Sequence, residues 1–348
     1  MVAGTCTKGY DGRMVAPFVR TSLRAIGALA AIAGLPLAVG CGGDLEGRVS
    51  IVGSATVLPY ASAVAGAFAA QNPLVDVSLR MDGTASGFTV FCDGTAPIAA
   101  ASRPLNDVEA LACRATGVTY AQLPVAKDAL VVFTSPTNTQ VSCLSLQDLY
   151  ALTSTEAAGG NTWKSASAVA RALGSQTALP AVDISVVTPD AMSGSRQLFI
   201  EKVIEPSAQI RKKTADLRPD HRDVSREMEL LAATDEKGVL AFAGYATVAP
   251  WGDKVRRISI RVGDDCVEPT PSNIASGRYP LSRPLFFYVN VRAAQKSGAV
   301  TALTDALIDE GAMASGGDGV VIPLSSEQIA ATQRTWESAL SGDQAVSP

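Results

Sequence analysis

Short stretches of the chain alternate apolar and polar residues with period two. Arg48-Val-Ser-Ile-Val-Gly53 and Val75 to Met81 read as strands on this ground. Ile98 to Ala101 reads as another short strand. Ala129-Leu-Val-Val-Phe133, Val182 to Val187, Val239 to Tyr245 and Val255 to Val262 read as further ones. Arg283-Pro-Leu-Phe-Phe-Tyr-Val289 is an aromatic strand. Between strands the period lengthens. Tyr60, Val64 and Phe68 lie four apart on one helix face, and Asn72-Pro73 stops that helix. Asp82 to Gly87 reads as a loop. Asn106 and Glu109 have capping-box spacing. Further helices are expected over Leu144–Leu152, after Ala191–Arg196, over Gln295–Ile308 and over Ser326–Leu340, with Ser341 to Pro348 as a frayed tail. Strand, loop and helix recur in that order, the pattern of parallel α/β architecture. No repeat of 20–50 residues is present.

The first forty residues break this pattern. Lys8, Arg13, Arg20 and Arg24 precede an apolar run from Ala25 to Val39 that is short for a membrane span and contains Pro36. Small residues then lead to Cys41-Gly-Gly43. Residues 1–40 therefore read as a lipoprotein signal peptide with Cys41 as the lipidated new N-terminus, and 41–47 as a tether; an ordinary signal peptide or a membrane anchor, with Cys41 incidental, is the alternative. The start is Met1 or Met14. The 348 residues, 47% hydrophobic and 18% charged, suffice for two domains with sizeable cores. The whole chain carries 29 basic and 33 acidic residues. Removing residues 1–40 takes away four basic residues and one acid, leaving 25 and 32, a balance of −7. This acidic surface argues against nucleic-acid binding. Any anion the chain holds is held by local donors. The single histidine, His221, argues against zinc hydrolysis and most histidine-dependent catalysis.

Cys92, Cys113, Cys143 and Cys266 follow Cys41. In an exported protein they suggest two disulfides, with three possible pairings. Cys92–Cys113 with Cys143–Cys266 is the expected one: a local loop and a long-range tie. No C-x-x-C spacing suggests a metal, and no cofactor motif is present.

Candidate chemistry lies in the loops. Ser54-Ala-Thr56, Ser86-Gly87 and Ser193-Gly-Ser195 each stand between a strand end and a helix start. Helix N-termini leave backbone N–H groups unpartnered and carry a partial positive charge. Small residues let an anion approach them, and hydroxyls add donors. Any one such loop is explained as simple capping. Three together, with Arg103 and Arg196 beside two of them, suggest a tetrahedral oxyanion surrounded from several sides.

At this point the chain resembles the phosphate-binding proteins of bacterial phosphate ABC importers, the PstS type. The resemblance spans nearly all of 48–340, in family order: Gly53-Ser-Ala-Thr-Val-Leu-Pro59, Phe91-Cys-Asp-Gly-Thr95, Ala101-Ser-Arg-Pro-Leu105, Ser193-Gly-Ser-Arg196, Phe242-Ala-Gly-Tyr245 and the long run Pro271–Tyr288. It implies an α/β, two-lobed type II periplasmic-binding-protein fold with hinge crossings and the ligand in the interlobe cleft. Lobe one would be 48–132 plus 252–348, and lobe two 133–251. Phosphate would be held by Ser54, Thr56, the Val57 N–H, Ser86, Ser102 and Arg103 from one lobe, and by Ser193, Gly194, Ser195 and Arg196 from the other. The partners implied are inorganic phosphate, a transmembrane permease and, through the lipid, a membrane. The Pro271–Tyr288 run is expected to be structural.

Two departures stand out. Some members carry an aspartate where Arg103 stands, and some an arginine where Pro189 stands. The first puts selectivity for phosphate over sulfate in doubt, so another tetrahedral oxyanion, or a sensing or scaffold relative, is the alternative. A serine hydrolase using Ser193 or Ser195 would need His221 to reach that loop. Neither serine lies in G-x-S-x-G.

Overall fold

The computed structural model describes residues 45–191, 193–224, 226–319 and 321–342. The expected signal peptide, Cys41 and most of the expected tail lie outside the described residues. In chain order the strands are β1 (Gly47–Gly53), β2 (Val75–Arg80), β3 (Ile98–Ala101), β4 (Tyr120–Thr134), β5 (Cys143–Leu144), β6 (Ser185–Pro189), β7 (Arg222–Val224), β8 (Val239–Gly244), β9 (Arg256–Arg257), β10 (Ser259–Val262), β11 (Asp265–Val267), β12 (Ser282–Asn290) and β13 (Ile322–Pro323). Ten of them form one mixed sheet. Its path runs β2-β1-β3-β12-β4-β8-β6-β7, with β9 and β13 also paired to β4, while β5, β10 and β11 form a small second sheet.

Strand β4 organises the molecule. Residues Tyr120–Ala129 pair antiparallel with β12, and Leu130–Thr134 pair antiparallel with β8. The same strand thus leaves one core and enters another. In the first core, Val49, Ile51, Tyr60, Leu123, Phe287 and Trp336 pack together. In the second, Leu130, Tyr150, Trp163, Phe199, Phe242 and Tyr279 do so. This is the α/β architecture that the strand–loop–helix order anticipates, in the two-lobed form that the family resemblance implies.

Strand β12 is buried on both faces. Leu285, Phe287 and Val289 enter the first core. Phe286 and Tyr288 point the other way, against Phe88, Phe91 and Tyr120. That explains an apolar run without polar alternation.

Three expectations meet corrections. β4 is 15 residues long, three times the stretch read from the sequence, which stopped short because Gln122, Pro124, Lys127 and Asp128 interrupt the apolar run. The span Gln295–Ile308 is part of two helices, Val291–Lys296 and Gly298–Leu307, parted at Ser297, whose side chain accepts from Val300 N and caps the second. The division at 251/252 does not follow the packing. Ile258, Ile260, Val267, Ile274, Tyr279 and Leu281 pack into the second core. The Cys143–Cys266 disulfide joins β5 to β11 on that side, and Cys92–Cys113 joins the helices Thr84–Cys92 and Asp107–Ala115.

Candidate functional site

Helices α1 (Leu58–Gln71), α2 (Thr84–Cys92) and α3 (Asp107–Ala115) follow β1, β2 and β3. Because β1 is parallel to both β2 and β3, the three loops that lead into these helices emerge at one sheet edge. Backbone contacts lock them together. Ser54 N donates to Ala100 O at 2.9 Å, and Gly83 N donates to Gly53 O at 2.8 Å. Only glycines fit this junction. Gly53 has φ +132°, and a Cβ there would sit 2.0 Å from Ala100 O; a Cβ on Gly87 would sit 2.4 Å from Gly53 Cα.

The first rim is rich in hydroxyls. Ser54, buried, accepts from Thr56 N through Oγ at 3.3 Å. Ser102, also buried, faces Thr84 with their oxygens 3.1 Å apart. Ser86 is exposed in the first turn of α2, whose N-terminus has no side-chain cap. Its first N–H groups are therefore orphaned by the helix itself. Val57 N donates to Ser54 O at 3.1 Å, so its N–H closes the turn rather than standing open.

The second rim comes from the loop after β6. Ser193 caps the helix Gly194–Phe199 and accepts from Ser195 N at 3.2 Å. The helical path then continues without a break to Arg211. A cavity of about 150 Å³ opens beside Ser193 and Ser195, lined also by Asp190, Arg226, Gly244 and Thr247. A wider cavity of about 630 Å³ contains none of the expected ligand residues.

The two rims meet. A Cβ on Gly194 would lie 2.6 Å from Thr56 Oγ1 and 3.2 Å from Arg283 Nη2. Arg283 Nη2 donates to Thr56 Oγ1 at 3.0 Å and to Gly194 O at 3.1 Å. Thr56 and Gly194 are thus brought together by Arg283, Ser54 sits beside Thr56, and Ser86 and Ser102 lie on the loops locked to the first rim.

The two arginines singled out from sequence are engaged within their own lobes. Arg103 forms a bidentate pair with Glu109, at 2.8 and 2.7 Å, and lies 5.5 Å from the Phe88 ring. Burial would push the Glu109 carboxyl up; hydrogen bonds from Arg103 and from Asn106 N more than offset this and hold it below the usual range. Arg196 pairs with Asp223 and contacts His221 Nε2 at 3.2 Å. Burial likewise opposes ionisation of Asp223, and the Thr188 hydroxyl, Arg196 and His221 together bring its pKa below the ordinary value. His221 also lies 2.9 Å from Asp223 and bonds Arg218 O. Among the described residues no hydrogen bond joins it to Ser193 or Ser195, which a nucleophile–base pair would need.

Sequence reasoning missed Thr84, Asp128 and Arg283. Thr84 belongs to the Asp82–Gly87 segment read as a loop, of which the structure makes Thr84–Gly87 the first turn of α2. Arg283 carried a usable signal: a charge inside an apolar strand must find a buried partner.

The chain is similar to known proteins. The model of the PBP superfamily domain (PBP_like_2) matches residues 41–310. Protein SphX of Synechococcus elongatus is 29% identical over 289 residues, covering 82% of this chain and 80% of that protein. Phosphate-binding protein PstS of Staphylococcus saprophyticus is 29% identical over 251 residues, 71% of this chain and 72% of its own. The crystal structure of a possible phosphate binding protein from Planctomyces limnophilus superposes with a TM-score of 0.68 at 28% identity, covering 85% of this chain and 99% of that one.

Proposed function

This chain belongs to the PBP superfamily domain family, and from that premise we propose that it captures inorganic phosphate between its lobes and hands it to a membrane permease, with no bond made or broken. The observation that carries the reading is the meeting of two hydroxyl-bearing loops across Arg283, one from each lobe. Relatives named for phosphate binding support the choice of anion.

In this reading Ser54, Thr56, Ser86 and Ser102 donate from the first rim, and Ser193, Gly194 and Ser195 from the second. Val57 fixes the turn that presents Ser54. Arg103 and Arg196 brace their loops through Glu109 and Asp223. Lobe one comprises about 48–129 and 282–342, and lobe two the residues between. Phosphate docks on one rim and completes its donors when the lobes close. A hydrogen bond to a charged group contributes about 1.5–3 kcal/mol. Three such bonds added on closure therefore outweigh an opening preference of a few kcal/mol. Export with lipidation at Cys41 would keep the protein beside its permease.

Isothermal titration of anion-stripped protein with phosphate, sulfate and molybdate tests the reading. Phosphate is expected to bind and to raise the melting temperature, as a ligand of the native state must. Binding of sulfate alone would reassign the ligand, and no uptake of any oxyanion would refute capture.

A further inference from the structure

Arg283 is a buried charge for which the capture scheme above gives no ligand role. Its side chain is 5% exposed. It sits on β12 directly opposite Asp128 of β4, where β4 is about to pass from one core to the other. Nε and Nη2 both donate to Asp128 Oδ2, at 3.2 and 3.1 Å. Nη2 also reaches Thr56 Oγ1 and Gly194 O, one on each rim. Nη2 therefore offers two hydrogens to three acceptors. Nη1 also carries two hydrogens and has no hydrogen-bond partner among the described residues. It is not among the buried unpartnered atoms either, so it reaches solvent and is free to donate to an incoming acceptor.

The other two arginines do not fill this place. Arg103 gives both terminal nitrogens to Glu109, and Arg196 gives its own to Asp223 and His221. Neither contacts the opposite rim in any described hydrogen bond. Arg283 does. Asp128 fixes its guanidinium plane by a cross-strand pair and keeps the ligand-free crevice close to neutral, as suits a crevice that must also open.

We propose that Arg283 is the cation that meets the bound oxyanion: Nη1 donates to it while Nη2 keeps both rims in reach, so that occupancy and closure are joined at one side chain. The inference rests on the oxyanion-capture reading and assigns the residue that supplies its charge. A planar fork suits two oxygens of one tetrahedral anion, which an ammonium does not reproduce.

The test is phosphate titration of the full chain as wild type, Arg283→Lys and Arg283→Gln, with Arg48→Gln as a surface control, and melting temperatures measured without ligand. Arg283→Lys keeps a cation for Asp128, so it remains informative where Arg283→Gln fails to fold. Expected are wild-type and Arg48→Gln affinities that agree within about twofold, and at least roughly a tenfold loss for Arg283→Lys with little change in ligand-free melting. Wild-type affinity in Arg283→Lys would overturn the assignment while leaving capture intact. A wild-type protein that binds no oxyanion would overturn both.

Discussion

Gly194→Ala separates closure from folding. Locally the change is benign: Gly194 opens a helix and does not have the positive φ that alanine resists. Alanine is the better helix former, by up to about 1 kcal/mol in a helix interior. Across the cleft it is not benign. The new methyl would sit 2.6 Å from Thr56 Oγ1 and 3.2 Å from Arg283 Nη2, and ordinary contact begins near 3.4 Å. Overfilling a packed site costs about 1–3 kcal/mol. In the capture reading that cost falls on the closed state alone, because opening of the lobes would separate Gly194 from Thr56. Since about 1.4 kcal/mol is tenfold in affinity, phosphate should bind roughly 5- to 150-fold more weakly. The ligand-free melting temperature should hold or rise. Calorimetry and a melting curve on one preparation give both readouts. On a Thr56→Ala background the clashing oxygen is gone, so Gly194→Ala should cost less there than in wild type, a non-additivity that marks direct contact. Undiminished affinity in Gly194→Ala, or a penalty unaffected by Thr56→Ala, would refute the facing of these two rims.

Other expectations follow from packing and charge. Asp148 is fully buried and accepts from Ser145 N, Ser145 Oγ, Ser175 Oγ and Thr177 Oγ1, so Asp148→Ala should lower stability by on the order of 2–3 kcal/mol in urea unfolding, with the loss read as a shift in midpoint. Phe242 stacks on Phe199 at 4.1 Å in the second core, and Phe242→Ala should cost about 3–5 kcal/mol by the same assay. The Cys143–Cys266 bridge spans 123 residues against 21 for Cys92–Cys113; by loop entropy its removal as a double alanine should cost about 5 kcal/mol against about 3, a ranking that paired melting curves check. Glu109 has a folded pKa below its unfolded one. Its contribution is therefore complete at neutral pH and is lost as pH falls below about 4 through the folded value. Glu109→Gln should flatten the acid limb of the stability–pH profile, and an unchanged slope would count against the Arg103 pair.

The legible parts of this molecule are those whose causes are local. The box at Asn106 and Glu109 was readable because both partners lie three residues apart, and the structure forms it in full. The strand–loop–helix order was readable because hydrophobic period reports which face is buried. The hydroxyl loops were readable as residue types at strand ends, and parallel pairing of β1 with β2 and β3 explains why the loops at Ser54, Ser86 and Ser102 share an edge. The identity of the arginine between the rims was not readable. Arg103 and Arg196 stood beside the loops in sequence, yet their charges are taken up by Glu109, six residues away, and by Asp223, 27 residues away. Arg283 stood in an aromatic strand far from every loop, and its neighbours are 155, 227 and 89 residues distant.

Sequence alone therefore determined the broad order of strands and helices, the small hydroxyl-bearing loops and the acidic balance that any anion site here must overcome locally. Tertiary structure decided which charge stands between the rims. A guanidinium reaches only a few ångströms, so its partner is set by which strands lie side by side, and that adjacency arises only when β4 and β12 pair across the middle of the fold.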